Sequence, residues 1–312
     1  MSKTLLLIDG NNLFHRAYHA LPPLSDKTGE NANAVFGFSN MLLKAISEVK
    51  PVYVACAFDT KSPTFRHVEF EKYKAHRPPA PPDLYPQLPK VKKVLEAFGI
   101  RYFEKDGYEA DDLLASIAVK FYKSKEKVEI IILSGDRDLL QLVNGDIKVQ
   151  MPGWNMKDAT LFGADEVREK YGLETHQMVD YKSLIGDPSD NIPGVSGIGP
   201  KTAASLLQKY HTLENLFENI SEIGETVRKK LEIGKEIALA AKSLVVLDTG
   251  VDLGINEEDL NFKPTWEQAR KEYEDLGFKS IAAKLGKLIE GKPFEEEAVT
   301  KNEPDLDQLK LI

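Results

Sequence analysis

Nine carboxylates in this 312-residue chain have the type and spacing to do chemistry. Asp9 closes the apolar run Leu5-Leu6-Leu7-Ile8, and Asp59 follows Phe58. Glu109, Asp111 and Asp112 stand together in Gly-Tyr-Glu-Ala-Asp-Asp, Asp136 and Asp138 in Ser-Gly-Asp-Arg-Asp, and Asp187 and Asp190 in Gly-Asp-Pro-Ser-Asp-Asn. A single Asp after a strand is ordinarily a cap or a turn residue. Three carboxylates at one helix start exceed what capping and the helix dipole use, and acidic strand ends nearby add repulsion that calls for a cation. Asp136 and Asp138, two apart in an extended segment, point to one side. Asp187 and Asp190, three apart with Pro188 suited to a first helical position, share one face of a turn. Hard oxygen donors with no neighbouring His or Cys select Mg²⁺ or Mn²⁺ over zinc. Two such ions side by side form the clamp for in-line attack on a phosphodiester, so these residues suit phosphate-ester hydrolysis.

Convergence of these acids requires one particular scaffold. Aliphatic and β-branched runs at 4–8, 52–58, 100–104, 128–133 and 147–150 read as strands, alternating with helical patterns at Ala34–Val49, Leu84–Phe98 and Ala110–Lys123. That alternation predicts an α/β domain with a parallel sheet, whose carboxyl-end edge is where ligands bind and where Asp9, Asp59, Glu109 and Asp136 would meet. From about residue 165 the pattern is helical, at 165–171, 175–186, 200–210, 225–247, 265–275 and 279–289. A boundary near 170 thus divides an α/β domain, 1–170, from an all-α domain, 171–290. Residues 291–312 hold six acids and three bases with few apolar groups and read as a disordered acidic tail.

Two further segments carry positive charge or exposed backbone. Residues 61–93 contain eight bases, among them Arg66, Lys74 and Arg77, against three acids, with Phe65, Phe70, Tyr73 and Tyr85 interleaved. Cations with stacking platforms suit a single nucleic-acid strand. Gly194-Val-Ser-Gly197-Ile-Gly199-Pro-Lys201-Thr202 lies between two helical patterns, at 186–210, as a helix-hairpin-helix would. Its glycines permit positive φ and close approach, so its backbone N–H groups can hold DNA phosphate without reading bases. A phosphate-binding loop of the nucleotide-hydrolase type is excluded, because Pro200 separates Gly199 from Lys201 and no strand precedes it.

Charge and composition restrict the classes that remain. The net charge of −8 argues against a polyanionic partner until its distribution is considered: the acidic tail and the nine carboxylates together outweigh the deficit, leaving the rest of the body net basic. Cys56 is the only cysteine, so neither a disulfide within the chain nor a zinc cluster can form. His15 and His19 are four apart but lack the Glu of a zinc-protease helix. No apolar run approaches a membrane span, and the start, Met1-Ser2-Lys3 followed by a short apolar run and Asp9, lacks a secretory cleavage pattern. The expectation is a cytoplasmic protein with no membrane partner.

The blocks FDTKSPTFRH (58–67), YKAHRPPAPPDL (73–84), GYEADD (107–112), SGDRDLLQLV (134–143) and GDPSDNIPGVSGIGPKTA (186–203) resemble, in the same order over about residues 1–290, the 5'-to-3' nuclease domain of bacterial DNA polymerase I, in the flap endonuclease family. The resemblance implies a PIN-like α/β domain with a helical arch at about 61–93 and a helix-three-turn-helix domain. It implies cleavage of 5' flaps and 5' ends on branched or nicked DNA, RNA primers included, by a monomer with two Mg²⁺ (or Mn²⁺) ions. Asp9, Asp59, Glu109, Asp111 and Asp112 would hold the first metal, and Asp136, Asp138, Asp187 and Asp190 would hold or orient the second. Arg16, Arg66 and Tyr73 would meet the DNA, Lys74 and Arg77 would act on the scissile phosphate, and the hairpin, through Gly194, Gly197, Gly199, Lys201 and Thr202, would bind the downstream duplex with a K⁺ ion on its carbonyls. Ser196 stands where the family usually has Pro, and Pro200 where it usually has Glu. All nine acids are present, which a silent DNA-binding scaffold would not need, and the hairpin suits duplex DNA better than the substrate of a PIN-like ribonuclease. No room remains for a polymerase, so the chain reads as a free-standing enzyme or an excised fragment.

The final residues Gln308, Leu309, Leu311 and Ile312 resemble the pentapeptide that bacterial replication proteins insert into the sliding clamp, with Ile312 in place of Phe. Apolar anchors on a flexible tether would concentrate a nuclease at the clamp. Deleting 308–312 is expected to abolish clamp binding in calorimetry while cleavage of isolated flaps is unchanged; equal clamp affinity of the intact and shortened chains, or none for either, would reject the motif.

Overall fold

The computed structural model describes residues 3–153 and 159–290; the terminal pentapeptide of the clamp reading lies outside them. In chain order the α/β part comprises β1 (Lys3–Asp9), α1 (Gly10–Ala20), α2 (Asn33–Val49), β2 (Tyr53–Ala57), α3 (Phe65–Glu69), α4 (Leu88–Ala97), β3 (Arg101–Phe103), α5 (Ala110–Tyr122), β4 (Val128–Leu133), β5 (Ile147–Met151) and β6 (Thr160–Phe162). The helical part comprises α6 (Ala164–Tyr171), α7 (Met178–Ile185), α8 (Pro200–Tyr210), α9 (Leu213–Glu218), α10 (Glu225–Val245), α11 (Trp266–Leu276) and α12 (Lys279–Ile289).

The sheet has the order β3-β2-β1-β4-β5-β6, parallel except for β6, which returns antiparallel to β5. β1 is central because its run Leu5-Leu6-Leu7-Ile8 is apolar on both faces, as a strand covered on both sides must be. Strand alternation sends Leu5 and Leu7 to a core shared with α5 and α7, and Leu6 and Ile8 to a second core with α1, α2 and α4. α11 and α12 cross back to this second face, where Tyr273 and Ile281 are buried against α2 and α4. The last two helices therefore complete the first layer rather than lying apart with the rest of the helical half.

The stretch 61–93, expected as a helical arch, contains among the described residues the five-residue α3, turns at 71–76 and 82–84, a short 3₁₀ turn at Tyr85–Gln87 and the start of α4. Its apolar residues Phe70 and Tyr73 pack with Ile192 and α10. The segment thereby lies across the carboxyl edge of the sheet. β-strand ends, α5 and this segment meet there with the turn 187–192, which the Asp187–Ile192 bridge closes. No described helix is long and apolar enough to cross a membrane.

Candidate active site

The edge is built around the turn from β1 into α1. Asp9 ends β1 and caps α1, its Oδ1 accepting from the Asn12 N–H at 2.9 Å and its Oδ2 from the Ser134 hydroxyl at 2.6 Å. Gly10 lets this helix start against β2: a Cβ there would lie 2.4 Å from the Phe58 ring. Asp59 accepts from the Ala110 N–H at the start of α5 (2.7 Å) and from the Asn11 amide (2.5 Å). Asp136 accepts the Asp138 N–H at 2.8 Å, and its own N–H donates to the Ser134 hydroxyl. Each acid is thus aimed by neutral donors, while each carboxylate oxygen retains a lone pair.

Asp9, Asp59, Asp111 and Asp136 share one property: none is in an ion pair with a cationic side chain among the described residues. Burial, with repulsion from neighbouring carboxylates as a further cause (Glu109 on Asp59, Asp190 and Asp187 on Asp136), lifts all four out of the usual carboxylate range; Asp9 is pushed up to about 7. Asp9, Asp59 and Asp136 all act on Asp111, which rises well above its ordinary value. No three His, Cys, Asp or Glu side chains among the described residues are drawn into a finished coordination cage. The group nonetheless suits a hard divalent cation, since it offers only oxygen donors, already oriented, whose repulsion a cation would relieve.

The remaining acids are neutralised from within. Lys74 donates to Glu109 at 2.7 Å and lies 3.8 Å from Asp190, while Arg77 reaches Asp190 at 2.5 Å. The Tyr73 hydroxyl, on a residue only 3% exposed, contacts both Glu109 (3.0 Å) and Asp190 (3.1 Å). Lys182, which sequence spacing did not single out, bridges Asp138 and Asp187 from the last turn of α7. It holds Asp187 below the usual range although burial opposes this. Arg16 is half-buried beside Gly135, where a Cβ would lie 3.6 Å from its guanidinium, and has no acid partner among the described residues.

Four expectations require correction. Asp112 is not with the metal-facing acids: it is 0% exposed, bound by Arg66 through two bonds of 2.7 and 2.8 Å, and accepts from the Glu109 and Asp248 N–H groups. One residue along a helix turns the side chain by roughly 100°, which sends Asp111 to the edge and Asp112 into the core. Arg66, expected on DNA, is 1% exposed, and its other N–H groups donate to the Leu244 and Val246 carbonyls at the end of α10. Asp136 and Asp138 do not share a side, because Asp138 opens a short 3₁₀ turn that carries it to Lys182. Pro188 begins no helix; residues 187–192 form a closed turn.

The hairpin has the expected form. Val195 and Ile198 are buried, Gly197 has φ +77°, and a Cβ on Gly194 would lie 2.2 Å from the Ile185 carbonyl carbon. Ser196, Gly197 and Gly199 are exposed, and among the described residues their N–H groups donate to no protein acceptor. Lys201 is exposed and Thr202 half-buried in the first turn of α8.

A mostly parallel sheet gathers acids at its carboxyl edge and is joined to a glycine hairpin between two helices. Two family models match in succession: the 5'-3' exonuclease N-terminal resolvase-like domain over residues 4–172 and the 5'-3' exonuclease C-terminal SAM fold over 173–268. The chain belongs to the 5'-3' exonuclease family. It is 39% identical to a 5'-3' exonuclease of Aquifex aeolicus over 92% of this chain and 96% of that one. It is 40% identical to DNA polymerase I of Caldicellulosiruptor bescii over 98% of this chain and 36% of the polymerase, so it spans about a third of that relative's length. The fold is that of a bacteriophage T5 flap endonuclease solved with DNA and metal ions, at TM-score 0.65, 16% identity, and 93% and 98% coverage of the two chains.

Two outcomes distinguish the acids. Removing one partner of a buried ion pair costs about 3–5 kcal/mol, so Arg66→Met or Asp112→Asn should lower stability by that order in urea unfolding, and a loss under about 1 kcal/mol would contradict the structural role. Asp111→Asn should do the reverse without divalent ions, raising Tm by roughly 2–4 °C for each kcal/mol of burial and repulsion removed. Adding Mg²⁺ should raise Tm in the parent protein and much less in Asp111→Asn; a lowered metal-free Tm in the variant would refute the assignment.

Proposed function

We propose that the chain is a structure-specific 5' nuclease that hydrolyses phosphodiester bonds with two Mg²⁺ (or Mn²⁺) ions. It removes 5' flaps and RNA primers from branched or nicked DNA during lagging-strand replication and repair. The observation that carries this reading is the set of four carboxylates, Asp9 buried and Asp59, Asp111 and Asp136 half-buried, that act on one another without a cationic ion-pair partner among the described residues, at a sheet edge flanked by Lys74, Arg77 and Arg16. Asp9, Asp59, Asp111 and Asp136 would hold the metal ions, with Ser134 and the Asn12 N–H fixing Asp9, Asn11 and the Ala110 N–H fixing Asp59, and the Asp138 N–H fixing Asp136. When bound, divalent ions supply activation of the attacking water and charge neutralisation on the phosphoryl oxygens.

The chain's own residues do the rest. Lys74 and Arg77 stand at the border of the acid cluster, held by Glu109 and Asp190, and can exchange those partners for a phosphate oxygen at little cost in charge balance. Arg16 offers a third cation with no acid partner to give up among the described residues. Glu109 would complete the first metal's set, while Asp138, Asp187 and Asp190 would hold or orient the second; without metal, Lys182 balances Asp138 and Asp187, and Lys74 and Arg77 balance Glu109 and Asp190. The exposed N–H groups of the hairpin hold the backbone of the downstream duplex. Residues 1–170 with the turn 187–192 carry the chemistry, the hairpin within 171–290 grips the duplex while α11 and α12 back the sheet, and 291–312 tether the enzyme, a cytoplasmic monomer, to a sliding clamp.

Cleavage of a 5'-labelled flap with Mg²⁺ and with EDTA tests the reading. Asp136→Asn is expected to lower cleavage by orders of magnitude while flap affinity stays similar or tightens, because one carboxylate no longer repels phosphate. Lys74→Ala and Arg77→Ala should slow cleavage with smaller effects on duplex affinity. Full Mg²⁺-dependent cleavage by Asp136→Asn would overturn the assignment.

A further inference from the structure

The family resemblance puts a K⁺ ion on the hairpin carbonyls, and the structure puts something else there. The Lys230 ammonium, from α10, donates to the Gly197 carbonyl at 3.1 Å. Its side chain lies along the hairpin tip, since a Cβ on Gly197 would meet Lys230 Nζ at 2.9 Å and Cε at 3.0 Å. This approach is prepared one helical turn away. Gly234 packs against Val195 so closely that a Cβ there would lie 2.5 Å from Val195 Cγ1, and Lys230, four residues earlier, shares its face of α10. Lys230 is half-buried and, among the described residues, has no carboxylate partner, so further ammonium N–H groups remain for an acceptor. Beside it stand the exposed N–H groups of Ser196, Gly197 and Gly199, which form an anion-binding concavity.

We propose that Lys230 is the built-in cation of the hairpin: its ammonium takes the carbonyl on which a K⁺ ion would rest and, with the hairpin N–H groups, binds a phosphate of the downstream duplex. Duplex binding then requires no monovalent metal ion. The donor set does not fit K⁺ as well, because an ammonium on the same carbonyl would face the ion as a like charge. This inference rests on the reading of the hairpin as the duplex site.

The test is fluorescence anisotropy of a labelled plain duplex with EDTA present, in K⁺ or in tetramethylammonium at equal ionic strength, so that counterion release is matched. Tetramethylammonium cannot sit among carbonyls. The wild-type affinity is expected to agree within about twofold between the two salts. Lys230→Met is expected to weaken binding about tenfold through loss of a charge-assisted phosphate contact. Lys229→Met removes the same charge from the neighbouring exposed position, where Lys229 pairs with Glu225 at 2.6 Å, and should change little. A severalfold drop for the wild type when K⁺ is withdrawn would overturn the proposal, as would Lys230→Met binding like Lys229→Met. Gly197→Val separates the two levels. If it binds duplex normally, the hairpin reading fails and this inference with it; if it binds weakly while Lys230→Met does not, only the inference fails.

Discussion

A sheet edge that buries more carboxylates than it can neutralise is the constraint on which the rest of this molecule depends. Bringing ionised acids out of water and beside one another is costly unless each has a counter-charge or can stay protonated. The fold meets the constraint by division. Asp112 is matched to Arg66, Glu109 and Asp190 to Lys74 and Arg77, and Asp138 and Asp187 to Lys182, while Asp9, Asp59 and Asp136 receive neutral donors and Asp111 has no ion-pair partner among the described residues. The unmatched group is held at the cost of raised proton affinity. It persists because the surrounding framework, from the Gly10 turn to the Ser134 hydroxyl, fixes the carboxylates whether or not they repel.

The matched pairs do structural work that makes the unmatched group possible. Arg66 joins the basic segment, the first turn of α5 and the end of α10 in one buried set of hydrogen bonds. Those bonds hold the helical half against the sheet edge, so the turn carrying Asp187 and Asp190 arrives beside Glu109. Lys74 and Arg77 differ from Arg66 in being partly accessible, with side chains 19% and 51% exposed. An accessible cation on an acidic edge can change partners when a polyanion arrives, whereas a buried one cannot without exposing an unpaired charge.

Much of this was legible in the residues. Five strands and the parallel sheet follow from local pattern, and the structure agrees with both, while the short antiparallel β6 was not foreseen. The separation of Asp111 from Asp112 was readable in principle from helical phase, since Asp112 precedes the buried Leu113 and Leu114 by short steps, but motif spacing alone treats three adjacent acids alike. The burial of Arg66 was not readable, because its partners Leu244 and Val246 lie 178 and 180 residues away. α1 was missed because its opening Gly10-Asn11-Asn12 is poor in helix formers, and it is held instead by the Asp9 cap and its packing on α2. Lys182 was missed because its partner Asp138 belongs to another element.

Anomalous diffraction from crystals soaked in Mn²⁺ tests the central claim most directly, because it locates cations without reference to activity. The account predicts peaks among Asp9, Asp59, Asp111 and Asp136, at the roughly 2.1 Å contact distance of a small hard divalent ion, and none at Asp112. Peaks confined to other acids, or an edge that stays without metal at millimolar Mn²⁺ and neutral to alkaline pH, would contradict it.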